Sequence, residues 1–379
     1  MKPTRIYLDH NATTPLDPRV LEAMLPYLRE SFGNPSSLHW FGQRARAAVE
    51  EARAQVAALV GASAPEIVFT SGGSESDNLA LRGAVAKARG ARRRVLTTAI
   101  EHHAVLNTAK ALREEGHPVE VVRAGEDGRL DLDELRSKLD GETLLVSVML
   151  ANNETGVLQP VAEAARLAHE QGALVHCDAV QAAGKTALDV RELDVDLLTL
   201  SAHKLYGPKG VGCLYVRRGT SMAPLVRGGA QERNRRAGTE NVAGIVGFGA
   251  AAARASALLA SDGPRIAALR DRLEARVLAV PGARRNGGEP RVPNTANVSF
   301  EGIDAEALLI ALDLEGVAAS TGAACAAGGI EPSHVLKAMG FTPERVQSSL
   351  RLSLGRGTTE AEVDYAAGVI SSAVARQRK

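Results

Sequence analysis

The chain reads as an α/β protein, with a mostly parallel sheet carrying helices on both faces and a smaller α+β region after it. Three observations predict this. Short apolar strand-like runs alternate with stretches of helical spacing. Polar, chemically capable residues follow directly on several of those runs, and open parallel sheets bind ligands beyond the carboxyl ends of their strands. The length, 379 residues, exceeds one ordinary domain and favours a large unit with a smaller one.

Taken in order, Arg5 to Pro15 is a short strand running into a turn, and Asp17-Pro18 opens a helix with Asp17 as N-cap and Pro18 at its first position. Phe32-Gly-Asn-Pro-Ser36 is a loop presenting Asn34, and Gln43 to Leu59 has helical spacing. Ile67–Thr70 is a strand that ends in Ser71-Gly-Gly-Ser-Glu-Ser-Asp77, with a helix expected from Asn78 to about Arg89. Arg94–Ile100 runs into Glu101-His102-His103, Val119–Val122 is a third strand, and Leu144–Leu150 runs into Ala151-Asn-Asn-Glu-Thr-Gly156. Ala173–His176 leads to Asp178 and Gln181, and Leu197–Leu200 to Ser201-Ala-His-Lys204, with a short strand Cys213–Val216 after the turn. Helical spacing from Val242 to about Leu259 is expected to close a large domain, 15–260, at Ser261-Asp-Gly-Pro264. The remainder, 261–379 with residues 1–14, is expected to form the small domain. It holds a helix over Arg265–Val280, strands at Asn297–Phe300 and Ser349–Gly355, a Gly/Ala-rich loop over Ser320–Pro332, and a closing helix from Thr359.

Composition narrows the function. A formal net charge of +1 argues against a generic nucleic-acid or membrane-surface binder, and 3% aromatics leave little for stacking on single-stranded nucleic acid. The first residues have no signal-peptide core and no apolar run reaches membrane-spanning length, so a cytoplasmic location is expected. Cys177, Cys213 and Cys325 form no CxxC pair and no zinc-like spacing, and no metal site is expected.

Lys204 is the residue that packing alone explains least. It stands at the mouth of an apolar strand, where an ammonium is costly unless it is paired, neutralised or exposed. Covalent use as a Schiff base removes that cost. Ser71-Gly-Gly-Ser74, between a strand and a helix, can cradle a phosphate; it matches neither GxxxxGK[ST] nor GxGxxG. Asp178 can pair with a protonated ring nitrogen or simply cap a turn, and His102 can stack on a ring or sit in a loop. Together these four features suit pyridoxal phosphate.

The motifs Ser-Ala-His-Lys-Leu-Tyr-Gly-Pro-Lys-Gly, Phe-Thr-Ser-Gly-Gly-Ser-Glu-Ser-Asp-Asn, Ala-Asn-Asn-Glu-Thr-Gly, His-Cys-Asp-Ala-Val-Gln and Arg-Ala-Gly-Thr-Glu-Asn resemble those of the NifS/IscS-like cysteine desulfurases, from Tyr7 to the closing helix. These belong to the class V aminotransferase family. The resemblance implies a pyridoxal-phosphate-dependent transferase of fold type I, with a mostly parallel seven-stranded sheet in the large domain. It implies that Lys204 holds the cofactor and moves the substrate α-proton, that Asp178 meets the pyridine nitrogen, and that His102 stacks and transfers protons. Gln181 and Asn153 would reach the ring oxygen or substrate. Gly73, Ser74, Ser201 and His203 would hold the phosphate, joined by Thr239 of a second subunit in a homodimer. Arg351 and Asn34 would take the substrate carboxylate.

Cys325, in a loop of small residues, would accept sulfur from L-cysteine as a persulfide, leaving L-alanine. Ala324, Ala326 and Ala327 stand where the family more often has Ser or Thr. Cys177 and Cys213 read as inert core residues. A selenocysteine lyase or another class V aminotransferase-like enzyme would share everything except dependence on Cys325; a non-catalytic sulfur relay would not need Lys204 and Asp178. The chain ends soon after its closing helix, where longer relatives carry an extension that docks a scaffold. The sulfur acceptor is thus left open between an iron–sulfur scaffold, a tRNA-thiolation relay and a dedicated activator protein.

Overall fold

The computed structural model describes residues 5–378 apart from 89, 91, 323, 324, 327 and 328, and the backbone alone of 325, 326, 329 and 330. Its centre is a seven-stranded sheet in the order Ile67–Thr70, Gly212–Val216, Leu197–Ser201, Leu174–Asp178, Thr143–Ser147, Arg94–Thr98, Val119–Val122. Gly212–Val216 is antiparallel to both its neighbours and the other pairings are parallel. Successive side chains along a strand enter different cores: Phe69 packs with the helices Trp40–Leu59 and Val161–Glu170, and Val68 with Gly73–Lys87 and His103–Glu114. A sheet buried on both faces leaves its strand ends as the place where backbone and polar groups meet solvent.

Two expectations are corrected. The helix after Ile67–Thr70 begins at Gly73, not Asn78, and ends at Lys87. Gly72 caps it at φ 156° and ψ −175°, a backbone region open essentially to glycine alone, so the Ser-Gly-Gly-Ser run is itself the helix start. The break foreseen at Ser261–Pro264 is absent: one helix runs from Val242 to Leu278 through Gly263 and Pro264. A proline inside a helix removes one hydrogen bond. Here that loss is outweighed because the two halves bury against different cores, Ile245 to Ala255 on the first and Ile266 to Val277 on another. By length and composition this helix is apolar enough to cross a membrane, but half of its most apolar window is buried within the fold.

The core that receives Ile266 to Val277 also takes Ile6 and Leu8 from the other end of the sequence. It forms around an antiparallel sheet of Ala283–Arg285, Thr295–Phe300 and Ser349–Ser353. Ile6–Tyr7 pairs in parallel with Val317–Ala318, which carries the N-terminal segment across to the carboxyl edge of the large sheet.

Candidate active site

A cavity of about 330 Å³ opens at that carboxyl edge, and every parallel strand end with polar residues except Val119–Val122 contributes to its lining. Lys204 sits on a single turn, Ala202–Lys204, directly after its strand. Its Nζ donates to the backbone carbonyls of Asn11 (2.5 Å) and Ala12 (2.7 Å), and among the described residues no carboxylate is a hydrogen-bond partner. Burial and the nearby Arg351 guanidinium pull its pKa from 10.5 down to about 8. The sequence thus places an amine of lowered pKa, held by neutral acceptors, where a Schiff base requires one.

Asp178 ends the next strand, and one of its oxygens accepts the Val180 N–H at 2.9 Å. Burial raises its pKa to about 6, opposed by that hydrogen bond and by Lys204. Asp77, on the first helix turns after Ser74, lies close by; burial, reinforced by the charge of Asp178, pushes it well above the usual carboxylate range. Among the described residues its Oδ1 has no hydrogen-bond partner, and it lies 3.6 Å from His176 Nε2. Burial and the charge of Asp178 thus favour the protonated form of Asp77, while Lys204 and the Val180 N–H favour the charged form of Asp178.

His102 caps the helix His103–Glu114: its Nδ1 accepts the Ala104 N–H at 3.1 Å, which assigns the ring proton to Nε2. Burial, then Lys204 and the neighbouring histidines, lower its pKa to about 4, so the ring is neutral. His203 is lowered to about 4 as well, by burial and the adjacent lysines, and its Nδ1 is 3.1 Å from Thr13 Oγ1. With Gly73, Ser74 and Ser201 it surrounds the start of the helix Gly73–Lys87. A Cβ on Gly73 would stand 3.1 Å from Val180 Cγ2, tighter than ordinary contact, so a larger residue would push this helix end and the 178–181 segment apart by a few tenths of an ångström. N–H groups at a helix start favour an anion there.

Arg351, at the middle of its strand, reaches the opposite wall. Its Nη2 pairs with Asp9 at 2.7 Å, its Nη1 donates to the Asn153 carbonyl at 3.0 Å, and among the described residues its Nε has no partner. Among the same residues Asn153 Oδ1 is likewise buried without a hydrogen bond. Gln181 donates from Nε2 to the Asn11 carbonyl at 2.9 Å.

Lys204, Asp178, His102, Gln181, Gly73, Ser74, Asn153, Ser201, His203 and Arg351 therefore line one cavity. Asn34 and Thr239 do not. Both are exposed, and Asn34 uses its Oδ1 to accept the Ser36 N–H at 2.9 Å. The backbone of Cys325 pairs with Ile330 in a two-residue hairpin strand, and its side chain lies outside the described residues. Cys177 and Cys213 are fully buried, and burial pushes both thiols up, which leaves them inert. Among the described residues no three His, Cys, Asp or Glu side chains are grouped to hold a metal ion.

Sequence reasoning missed Asn11, Ala12, Asp77, His103, Glu154 and His334, all in the lining. Asn11 has the clearest local signal, a polar Asp-His-Asn run directly after an apolar strand. His334 had none, since only the fold brings its ring within 4.5 Å of that of His103.

The residues present fit pyridoxal phosphate. Among the described residues they offer an amine free of carboxylate partners, a carboxylate beside a neighbour whose burial favours its protonated form, a neutral imidazole, an unpartnered buried amide oxygen and a glycine at the helix start.

Comparison with known proteins agrees with this chemistry. The model of the aminotransferase class-V family matches residues 6–366. A cysteine desulfurase of Nostoc sp. is 49% identical over 375 residues, covering 98% of this chain and 94% of the relative. Cysteine desulfurase NifS of Azotobacter vinelandii is 48% identical, covering 98% and 93%. A solved NifS-like protein superposes with a TM-score of 0.93 at 40% identity, over 98% of this chain and all of that one.

Proposed function

The chain belongs to the aminotransferase class-V family, and from that premise we propose how its residues divide the work of a pyridoxal-phosphate-dependent cysteine desulfurase. The enzyme acts on L-cysteine. When bound, the cofactor supplies an electron sink for charge released at the substrate α-carbon. Lys204 would be its covalent anchor and would also be the base for the substrate α-proton; an amine with a pKa near 8 suits both roles. Asp178 would hold the ring nitrogen protonated, with His102 against the ring and Gln181 donating to its oxygen. The helix start at Gly73 and Ser74, with Ser201 and His203, would hold the phosphate. Arg351 would take the substrate carboxylate through its guanidinium fork, oriented by Asp9.

Cys325 is the sulfur acceptor in this reading. Its thiolate attacks the substrate sulfur, the substrate C–S bond breaks as the S–S bond forms, and protonation of the carbon left behind yields L-alanine. The persulfide then passes to an acceptor thiol by exchange, on an iron–sulfur scaffold or a tRNA-thiolation relay, in the cytoplasm. A homodimer would let Thr239 complete the partner's phosphate site. In support, the stacked Phe32 and Phe41, with Trp40 beside them, form an exposed aromatic patch, Phe32 at 80% and Trp40 at 62% exposure. The division into domains at residue 260 is retained as a reading of the two cores, not of the helix that joins them.

One observation carries this assignment: the Lys204 amine is held by two carbonyls, with no carboxylate bound to it among the described residues, in the same cavity as Asp178 and His102. The test is the visible spectrum of the purified protein, with L-alanine assays for wild type, Lys204→Ala and Cys325→Ser. A borohydride-sensitive band that needs Lys204, and alanine formation that needs Cys325, are expected. Alanine formation independent of Cys325 would overturn the persulfide role.

A further inference from the structure

Behind Lys204 lies a second lysine that the reaction does not use. Gly184, at φ +71°, precedes Lys185. The Lys185 Nζ is 2.7 Å from Gln181 Oε1 and 3.2 Å from Asn11 Oδ1, and among the described residues it forms no ion pair. The residue is half-buried, and burial pulls the amine well below the usual lysine range; an amine so placed without a counter-charge is costly, so its place there calls for a reason.

The hydrogen bonds supply one. Asn11 Nδ2 donates to the Asn153 carbonyl (3.1 Å) and to Thr295 (2.9 Å), which leaves Asn11 Oδ1 to accept from both Asn294 Nδ2 (3.0 Å) and Lys185. Gln181 Nε2 donates to the Asn11 carbonyl, which turns Gln181 Oε1 toward Lys185. Both groups facing the amine are acceptors, so Lys185 donates to each whatever its charge. The Asn11 carbonyl also receives Lys204 Nζ. One amine therefore ties together the amide that lines the cavity and the residue on which the anchoring lysine rests.

We propose that Lys185 is a positioning residue: it braces Gln181 and Asn11 so that the second N–H of Gln181 is held toward the cavity as a donor. The inference rests on the cofactor reading above, in which that donor meets the ring oxygen. A donor at that oxygen lowers the basicity of the lysine-linked nitrogen beside it. Removing the brace lets the Gln181 amide withdraw, and the nitrogen becomes more basic.

The test is a pH titration of the visible band of the holoenzyme in wild type, Lys185→Met, Gln181→Ala and the double variant, with the dissociation constant of pyridoxal phosphate for each. Lys185→Met is expected to raise the midpoint by about one pH unit, the equivalent of one hydrogen bond, and to weaken cofactor binding several-fold. In the Gln181→Ala background the same change is expected to move nothing, because the effect passes through Gln181. A shift of equal size in both backgrounds would mean simple loss of a nearby charge and would overturn the proposal. So would a lowered melting temperature with an unmoved midpoint. Lys185→Gln, which can accept as well as donate, carries the test if the methionine variant does not fold. A wild-type protein with no Lys204-dependent band would instead remove the cofactor reading itself, an outcome distinct from all of these.

Discussion

The lowered pKa of Lys204 has a consequence that can be read in the apoprotein, where no cofactor masks the amine. Its folded-state value is about 8 against 10.5 when exposed, a depression of about 2.5 units caused first by burial and then by Arg351. At 1.36 kcal/mol per unit this is about 3 kcal/mol of linked free energy. The sign follows from proton counting. Between pH 8 and 10.5 the unfolded chain keeps the proton and the folded chain has lost it, so folding stability from this group rises with pH across that window. Below pH 8 both states are protonated and the full penalty applies without further change. Lys204→Met removes the titration and keeps the packing volume. Urea unfolding of apo wild type and apo Lys204→Met from pH 7 to 10.5 should therefore give a stability difference that is flat below about 8 and then moves by about 3 kcal/mol in favour of the wild type. A difference that stays constant over the whole range would mean that the amine titrates like an exposed lysine, and the argument from its environment would be wrong.

Further predictions concern the same framework. His102 is neutral down to about pH 4, so the kcat/KM profile should show no acid limb near 6.5 due to this ring. A limb there that vanished in His102→Gln would contradict the assignment, and the variant itself should lose about 10²–10⁴-fold in turnover. Arg351→Lys gives up the fork that Asp9 and the Asn153 carbonyl orient; kcat/KM for L-cysteine should fall by about 10- to 100-fold, and an unchanged value would remove Arg351 from the substrate. Arg53 and Glu232 form a buried bidentate pair, 4% and 3% exposed, with Glu232 also accepting the Phe69 N–H. Glu232→Ala leaves the buried guanidinium with only the half-exposed Glu50 as counter-charge and should cost about 3 kcal/mol in denaturant unfolding, whereas a loss under 1 kcal/mol would show that Glu50 or solvent compensates for the missing partner.

The strand ends were legible because strand position alone puts Ser71 to Ser76, His102, Asn153, Asp178 and Lys204 at one sheet edge. Arg351 and Asn34 rested on resemblance, and only Arg351 reaches the cavity in this chain. What stayed hidden is what depends on contacts across the sequence. Asn11 joins residues 153, 185, 204 and 295 through one side chain and one carbonyl; the polar run after its strand marks it as a site candidate, but which distant residues it joins has no local signature. The unbroken helix Val242–Leu278 was misread for a related reason, since Gly263-Pro264 signals a break that two separate cores override. Asp77 looked like one more polar residue at a helix start until the fold set it beside Asp178.

The central claim is that Lys204 and Cys325 act in sequence on one molecule of L-cysteine. The most direct measurement is mass spectrometry of the Cys325 peptide after a single turnover with L-cysteine and no acceptor, in wild type and Lys204→Ala. Addition of one sulfur atom to Cys325 in wild type, matched by one L-alanine and absent in the lysine variant, is the predicted result. Alanine formed in wild type with Cys325 left unmodified would contradict it.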